Sequence, residues 1–414
     1  MQLFASFRAG IQVGTTDSGA LCSARSKQAV VGKALVTRRQ FTQGIATATL
    51  LSAFSSASKG QGLGTDYDVI IVGAGVAGLA AARRLAVMDR ELKVLVLEAR
   101  DRIGGRIYSV PHDQLMRDAE LGASTLLHRD GPDWSVIEDL ALTVEILPDG
   151  KFTLFPGMRA LAAGLAQAST GTVQLHSVVT EIFWREGLVG VKYDNRGLSS
   201  AVTARRLILT LPPGVMQRSS VSITPGLTDA KRRVLQLADA DLLLSCAMVF
   251  TADKLRLKDS QEVWTRESDT TRLRAFQTGM AGEVLLEAQY SGDRARLLAQ
   301  QSDEIVLGLS LKAFTDAVGE LPAATDRSWG AVVNWSDDPY SVGARTRPLN
   351  TSAHLDLAQS QGDTLFFAGE ATAEPELVGT VHGAYASGER VAREVAASLG
   401  VGAADEAEPL FELL

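Results

Sequence analysis

The stretch Tyr67–Leu79, YDVIIVGAGVAGL, decides the fold. Tyr67–Val72 is a short apolar run with β-branched residues, the pattern of a buried parallel strand. Gly73, Gly75 and Gly78 follow at G-x-G-x-x-G spacing. The first glycine allows a tight turn, the second lets backbone approach a diphosphate, and the third lets helix pack on strand. Val76–Met88 is predicted to be a helix, with Val76, Leu79, Ala80 and Leu85 apolar, and its N-terminal amides and dipole would face phosphates. Lys93–Leu97 predicts a second strand. Glu98 ends it, 20 residues after Gly78, placed to accept hydrogen bonds from ribose hydroxyls. Strand, glycines, helix, strand and acid in register predict a dinucleotide-binding unit. The motif alone leaves NAD and FAD open.

The chain has 414 residues and is 46% hydrophobic, enough for a large core and two domains. No sustained run of about 18 apolar residues is present. Its front end does not resemble a folded domain. Arg38 and Arg39 in TRRQF precede a mild apolar stretch, Gly44 to Phe54, and then Ser55-Ser56-Ala57. That order predicts a twin-arginine leader over residues 1–57 and a linker over 58–65. The protein is thus expected to be periplasmic or exported, with the twin-arginine translocase as a partner. A cofactor bound in the cytoplasm requires a route that carries folded cargo. The long stretch ahead of Arg38 points to a start codon near Val31 or Val36.

The whole chain carries −7; residues 1–57 hold six Lys/Arg and one Asp, leaving −12 on the remainder. That balance argues against nucleic-acid binding and is compatible with a cationic substrate. Of the two cysteines, Cys22 falls in the leader, so Cys246 has no intramolecular partner. The five histidines form no metal-ligand pattern.

Two further stretches name a cofactor class. Asp101-Arg102-Ile103-Gly104-Gly105-Arg106 follows the acidic residue, and Thr364–Val395 contains GEAT and TVHGA. With the opening motif, they resemble the flavin amine oxidases, the monoamine and polyamine oxidase flavoproteins, over Asp66 to Val395. The resemblance implies non-covalent FAD. It places Arg100 at the cofactor and Gly105 and Arg106 at the diphosphate, where a guanidinium fork suits an oxyanion. It sets Ala123 and Ser124 along the flavin ring, Val179 at the adenine, and Trp335 near the flavin. Gly369 and Glu370 fall at the ribityl chain, and Thr380 and Val381 at the isoalloxazine. Leu211–Val215, LPPGV, matches the family's connection between domains.

Four departures stand out against that pattern. The family's lysine, bridged by water to flavin N5, aligns with Ser245. The position of a covalent cysteine in some members is Ala344. The aromatic cage positions hold Arg345, and Leu377 or Thr380. Only Thr125 to Phe155 stands where members carry a long helical insert.

The expected fold is α/β: a Rossmann-like FAD-binding domain built from 66–110, 156–213 and 362–399, with an α+β substrate domain from 111–155 and 214–361. An acidic tail spans 400–414. In the second part, Thr228–Leu237 and Ser302–Val318 predict helices, while Leu242–Phe250, Glu262–Thr265 and Val284–Tyr290 predict strands. The expected activity is oxidation of an amine or amino acid at carbon–nitrogen. Reoxidation would be by O2 or an electron-transfer partner. Ser245 and Trp335 are the candidate catalytic residues; Arg345, Leu377 and Thr380 are the candidate substrate contacts. Arg345 offers a clamp for a carboxylate or simply a salt bridge. Two other readings stay open: an exported flavin-binding subunit without amine oxidase activity, and a desaturase or porphyrinogen-type oxidase. Oligomeric state is left open.

Overall fold

A computed structural model describes residues 64–401, except 114, 127–133, 251–262, 279–282, 319–325 and 349–350. The leader, most of the linker, Glu262 at the start of one expected strand, and nearly all of the acidic tail lie outside the described residues.

The strands are β1 (Tyr67–Val72), β2 (Val94–Leu97), β3 (Ser109–Val110), β4 (Ala119–Glu120), β5 (Thr143–Ile146), β6 (Phe152–Phe155), β7 (Thr172–Gln174), β8 (Ser177–Arg185) and β9 (Leu188–Asn195). They continue as β10 (Leu198–Leu209), β11 (Ser222–Thr224), β12 (Leu243–Phe250), β13 (Val263–Ser268), β14 (Thr271–Thr278), β15 (Glu283–Ser291), β16 (Arg327–Asn334) and β17 (Leu365–Phe367). The helices are α1 (Val76–Met88), α2 (Trp134–Asp139), α3 (Arg159–Gln167), α4 (Pro213–Gln217), α5 (Asp229–Leu237), α6 (Gly292–Leu298), α7 (Asp303–Val318), α8 (Thr351–Ala358) and α9 (Val381–Leu399).

One sheet has eight strands in the order β11-β8-β9-β10-β1-β2-β7, with β17 also on β10. The long strand β10 serves two halves of it. Its residues 198–204 pair antiparallel with β9, and 204–209 pair parallel with β1. Its last three residues also pair parallel with β17. Strand β1 is covered on both faces, which is why it reads as a continuous apolar run. Val69 and Ile71 join the core with α1, α3 and α9. Ile70 and Val72 join Val179, Ile182 and Val191 on the other face.

The glycine motif behaves as its spacing requires. Gly73 sits at φ +107°, and a Cβ on Gly78 would lie 2.0 Å from the Gly73 carbonyl oxygen. Helix α9 crosses α1 as closely: a Cβ on Gly388 would meet the Ala77 carbonyl at 2.3 Å. Close helix crossings of this kind need glycine at the contact.

The second sheet is antiparallel, in the order β13-β14-β15-β12-β16. Alternation along β12 sorts its two faces. Leu244, Cys246, Met248 and Phe250 pack with Leu307, Leu311 and Phe314 of α7. Ala247 and Val249 pack with Ala119, Leu121 and Phe276. The segment through β4 therefore lies on the face of this sheet that looks toward the dinucleotide-binding unit. Helix α5 is capped as predicted, with Thr228 Oγ1 accepting from Lys231 N at 3.4 Å. Together the two sheets form the predicted α/β architecture.

Several elements were not foreseen. Strand β10 is long, running from Leu198 to Leu209. Strands β14 and β16 carry Arg, Gly and Ser among their apolar residues, which hides their period. Strand β11, from segment 214–361, pairs with β8 in the first sheet. No helix among the described residues is long and apolar enough to cross a membrane.

Candidate active site

A cavity of about 580 Å³ runs from the glycine turn to the second sheet. Its size falls in the range of small-molecule and cofactor sites, about 300–1,000 Å³. At one end lie Glu98 and Val179; at the other, Ser124, Trp335 and Thr380.

The end of β2 builds the first fixed point. Glu98 is buried, and its two carboxylate oxygens accept from Ala74 N at 2.8 Å and Arg100 N at 2.9 Å. These bonds orient the carboxylate and leave lone pairs for a ribose. Gly75 caps α1 without a side-chain hydrogen bond, so no side chain competes for the first-turn amides. Gly104 N donates to Ala74 O at 2.8 Å, which brings Gly105 against Gly75. A Cβ on Gly105 would come within 3.1 Å of Gly75 Cα.

Arg106 and Glu370 join the two distant motifs. Arg106 Nη1 donates to Glu370 Oε1 at 2.7 Å and to Ala344 O at 2.8 Å. Glu370 Oε1 also accepts from Thr346 Oγ1 at 2.7 Å, and Oε2 accepts from Gly379 N at 2.8 Å. Glu370 is thus a staple among three chain segments as well as part of the cavity wall. Arg100 reaches elsewhere: Nη2 donates to Asp338 Oδ1 at 2.6 Å and Ser341 Oγ at 2.8 Å. It lines the cavity while tying the D-P-Y-S loop to β2.

At the far end, Trp335 is fully buried and its Nε1 donates to Leu121 O at 2.8 Å. This bond sets the position of Gly122, Ala123 and Ser124. Ala123 N donates back to Arg106 O at 3.0 Å. Thr380 caps α9, its Oγ1 accepting from Gly383 N at 2.9 Å. The positive end of that helix dipole, at Thr380 and Val381, opens on the cavity.

A family described as flavin containing amine oxidoreductase matches residues 144–396. The chain belongs to this family. An NAD(P)-binding Rossmann-like domain matches residues 71–139. Lysine-specific histone demethylase 1 homolog 2 of Arabidopsis thaliana is 25% identical over 441 residues, covering 80% of this chain and 59% of that protein. The chain therefore spans about three-fifths of that relative's length. Amine oxidase [flavin-containing] A of Bos taurus is 45% identical over 60 residues, 14% of this chain and 11% of that protein. Among solved structures, a putrescine oxidase triple mutant superposes with TM-score 0.65 at 19% identity, covering 80% of this chain and 99% of that one. Cyclohexylamine oxidase from Brevibacterium oxydans IH-35A gives 0.66 at 16% identity, covering 81% and 100%. These likenesses show the fold.

FAD is the cofactor of this flavin amine oxidoreductase, and the cavity fits it. The glycine cradle, the oriented Glu98, the Arg106 fork and the α9 terminus all line one cleft, the donors and acceptors that a dinucleotide and a flavin need. Ala344 in the wall brings no sulfur. Cys246 lies on the opposite face of its sheet, with its thiol pushed up to about 11 by burial. FAD binds non-covalently. Among the described residues no cluster of three or more His, Cys, Asp or Glu is placed for a metal.

The substrate side of this flavin oxidoreductase differs from the expectation at Ser245 and Leu377, and Arg345 takes the salt-bridge reading. Ser245 is buried, its hydroxyl has no hydrogen-bond partner, and it is not part of the cavity wall. Its strand neighbour Gln289 takes the wall position and donates from Nε2 to Gly122 O at 2.8 Å. Ser245 lies beside Gln289 on the same face of the sheet but does not reach the cavity, so it is corrected from a lining residue to a buried neighbour of the wall. Leu377 ends a 3-10 turn and stays out of the cavity, contributing its carbonyl to Thr380 N at 3.2 Å. Arg345 does line the cavity, but its Nε donates to Asp241 Oδ2 at 2.5 Å. Burial alone would raise the Asp241 carboxyl; hydrogen bonds from Arg347 and Arg345 hold it below its ordinary range. Of the remaining candidates, Gly73, Gly75, Val179, Gly369 and Thr380 line the cavity, while Gly78 acts through the helix–strand contact.

Sequence reasoning missed the wall formed by the second sheet. Arg272 and Gln289, register partners on β14 and β15, both line the cavity. Behind them Glu120 and Glu287 are buried close together, with Glu287 Oε1 accepting from Glu120 N at 2.7 Å. Burial, then the Glu287 charge, pushes the Glu120 carboxyl up to about 8. Alternating charges in TRLRAFQT were the available signal.

Proposed function

We propose that this protein oxidises an amine or amino acid at its carbon–nitrogen bond, releasing an imine that water hydrolyses. The observation that carries this reading is the single cleft joining the dinucleotide cradle to the wall at Trp335, Ser124 and Gln289. FAD, when bound, supplies the acceptor for the two electrons and hydrogen leaving the substrate α-carbon. The chain's residues bind and orient. Glu98 and Arg106 anchor the cofactor, and the α9 terminus favours negative charge at its neighbour. Trp335, held by Leu121, and the Gly122–Ser124 backbone shape the pocket and exclude water around the reacting carbon.

The twin-arginine pattern at Arg38 and Arg39 supports a periplasmic or exported location. O2 or an electron-transfer partner reoxidises the protein in this reading.

A second reading, an exported flavin-binding protein without amine oxidase activity, is favoured by one observation. The residue aligned with the family lysine, Ser245, is sealed from the cavity. Anaerobic mixing of the yellow holoprotein with a panel of amines and amino acids separates the two. Bleaching of the flavin band by at least one compound supports an oxidoreductase; no bleaching by any supports the binding protein.

A further inference from the structure

The face of the second sheet that looks into the cavity carries two arginines on β14. Arg272 and Arg274 lie two residues apart, so they project to the same side. Arg272 is part of the cavity wall. Arg274 is 3% exposed and stands just behind it, its Nη1 donating to Ser124 Oγ at 3.0 Å. Ser124 itself lines the cavity. The Nε and Nη2 donors of Arg274 have no partner.

This is an unusual way to hold a guanidinium. A buried cation is ordinarily paired, because its desolvation is costly and the group does not deprotonate. The register partner of Arg274 is Glu287, yet that carboxylate accepts from the Glu120 backbone instead. Among the described residues Arg274 forms no ion pair. Of the described residues, four acids line the cavity: Glu98, Glu370 held by Arg106, Asp241 committed to Arg345 and Arg347, and Asp269 in the β13–β14 turn.

We propose that Arg272, with Ser124 backed by Arg274, forms a carboxylate subsite, so that the substrate is an amine that also carries a carboxylate. This rests on the amine-oxidising reading above and assigns its substrate class. Arg272 makes the direct contact. Arg274 is a positioning residue: its charge acts through the Ser124 hydroxyl, which turns to donate to the incoming anion. Arg345, read from sequence as a clamp or a salt bridge, is the salt bridge to Asp241, which leaves Arg272 of β14 as the arginine for this subsite.

The test uses the holoprotein and two shape-matched ligands that cannot be oxidised as amines, phenylacetate and neutral phenylacetamide. Binding is read from perturbation of the visible flavin spectrum. Phenylacetate should bind more tightly than phenylacetamide. Its Kd should rise about tenfold in Arg272→Gln and in Arg274→Met, the loss expected for a charge-assisted hydrogen bond. Arg274→Lys should recover most of the affinity, and phenylacetamide should bind alike in every variant. Equal binding of the two ligands to wild type overturns the subsite, as does a phenylacetate Kd unchanged in Arg272→Gln. The second outcome holds even if Arg274→Met fails to fold. Selective phenylacetate binding by a protein that no amine bleaches would keep the subsite and count against amine oxidation.

Discussion

Arg106 Nη1 and Glu370 Oε1 lie 2.7 Å apart although the residues are 264 positions distant in the chain. One belongs to the glycine-rich opening and the other to the closing G-E-A-T turn. Their contact ties the two motifs together across the cofactor cleft. Glu370→Ala removes the acceptor for Arg106, Thr346 and Gly379 together. It should cost about 3–5 kcal/mol, the usual penalty for stranding one partner of a buried ion pair. Denaturant melts and the flavin-to-protein absorbance ratio measure this. Wild-type values for both would remove Glu370 as the staple.

Glu98→Ala should weaken FAD retention and loosen the glycine turn, because the carboxylate holds Ala74 N and Arg100 N as well as facing the ribose. Glu98→Gln keeps one acceptor oxygen and should fall between. Equilibrium dialysis of FAD ranks the three proteins. An order other than wild type, Gln, Ala speaks against this geometry.

Glu120 gives a pH signature. Its carboxyl ordinarily titrates near 4.5 and is raised to about 8 by burial and then by Glu287. Between those values the folded state keeps a proton that the unfolded state has lost. Stability therefore falls as pH rises through this window. Glu120→Gln supplies a neutral isostere, so its melting temperature should exceed that of wild type above pH 8 and vary less between pH 5 and 8. Parallel curves for the two proteins would contradict the shift.

Ser245→Ala deletes a buried hydroxyl that has no partner. Stability should be unchanged or raised, up to about 1–3 kcal/mol. Flavin reduction and reoxidation should keep wild-type rates in stopped flow. A slowing of tenfold or more in either half-reaction would return Ser245 to the active site through a water.

Replacing Arg38 and Arg39 together by lysine should hold the precursor in the cytoplasm, since the export receptor reads the arginine pair as an address. Cell fractionation followed by immunoblotting reports it. An undiminished periplasmic pool would show that these residues are not a leader.

The cofactor half of the site was legible because its signals are contiguous. G-x-G-x-x-G, the acid at Glu98 and G-G-R each work through local backbone geometry, so their meaning survives without tertiary contacts. The substrate half was less legible. Strand β14 escaped notice because Arg272 and Arg274 occupy the alternating positions that apolar residues mark elsewhere. They are arginines because that face borders a cavity rather than a core.

The sequence by itself determined the dinucleotide fold and, through its resemblance to the flavin amine oxidases, the flavin class of the cofactor. Only the tertiary structure decided which candidates share the cavity. It kept Ser245 off the wall that its register partner Gln289 lines, left Leu377 outside, paired Arg345 with Asp241 and set Arg274 against Ser124. The physical reason is register. In a sheet, a shift of one residue turns a side chain from wall to core. That register follows from pairings between strands far apart in the chain, such as β12 with β15 and β16.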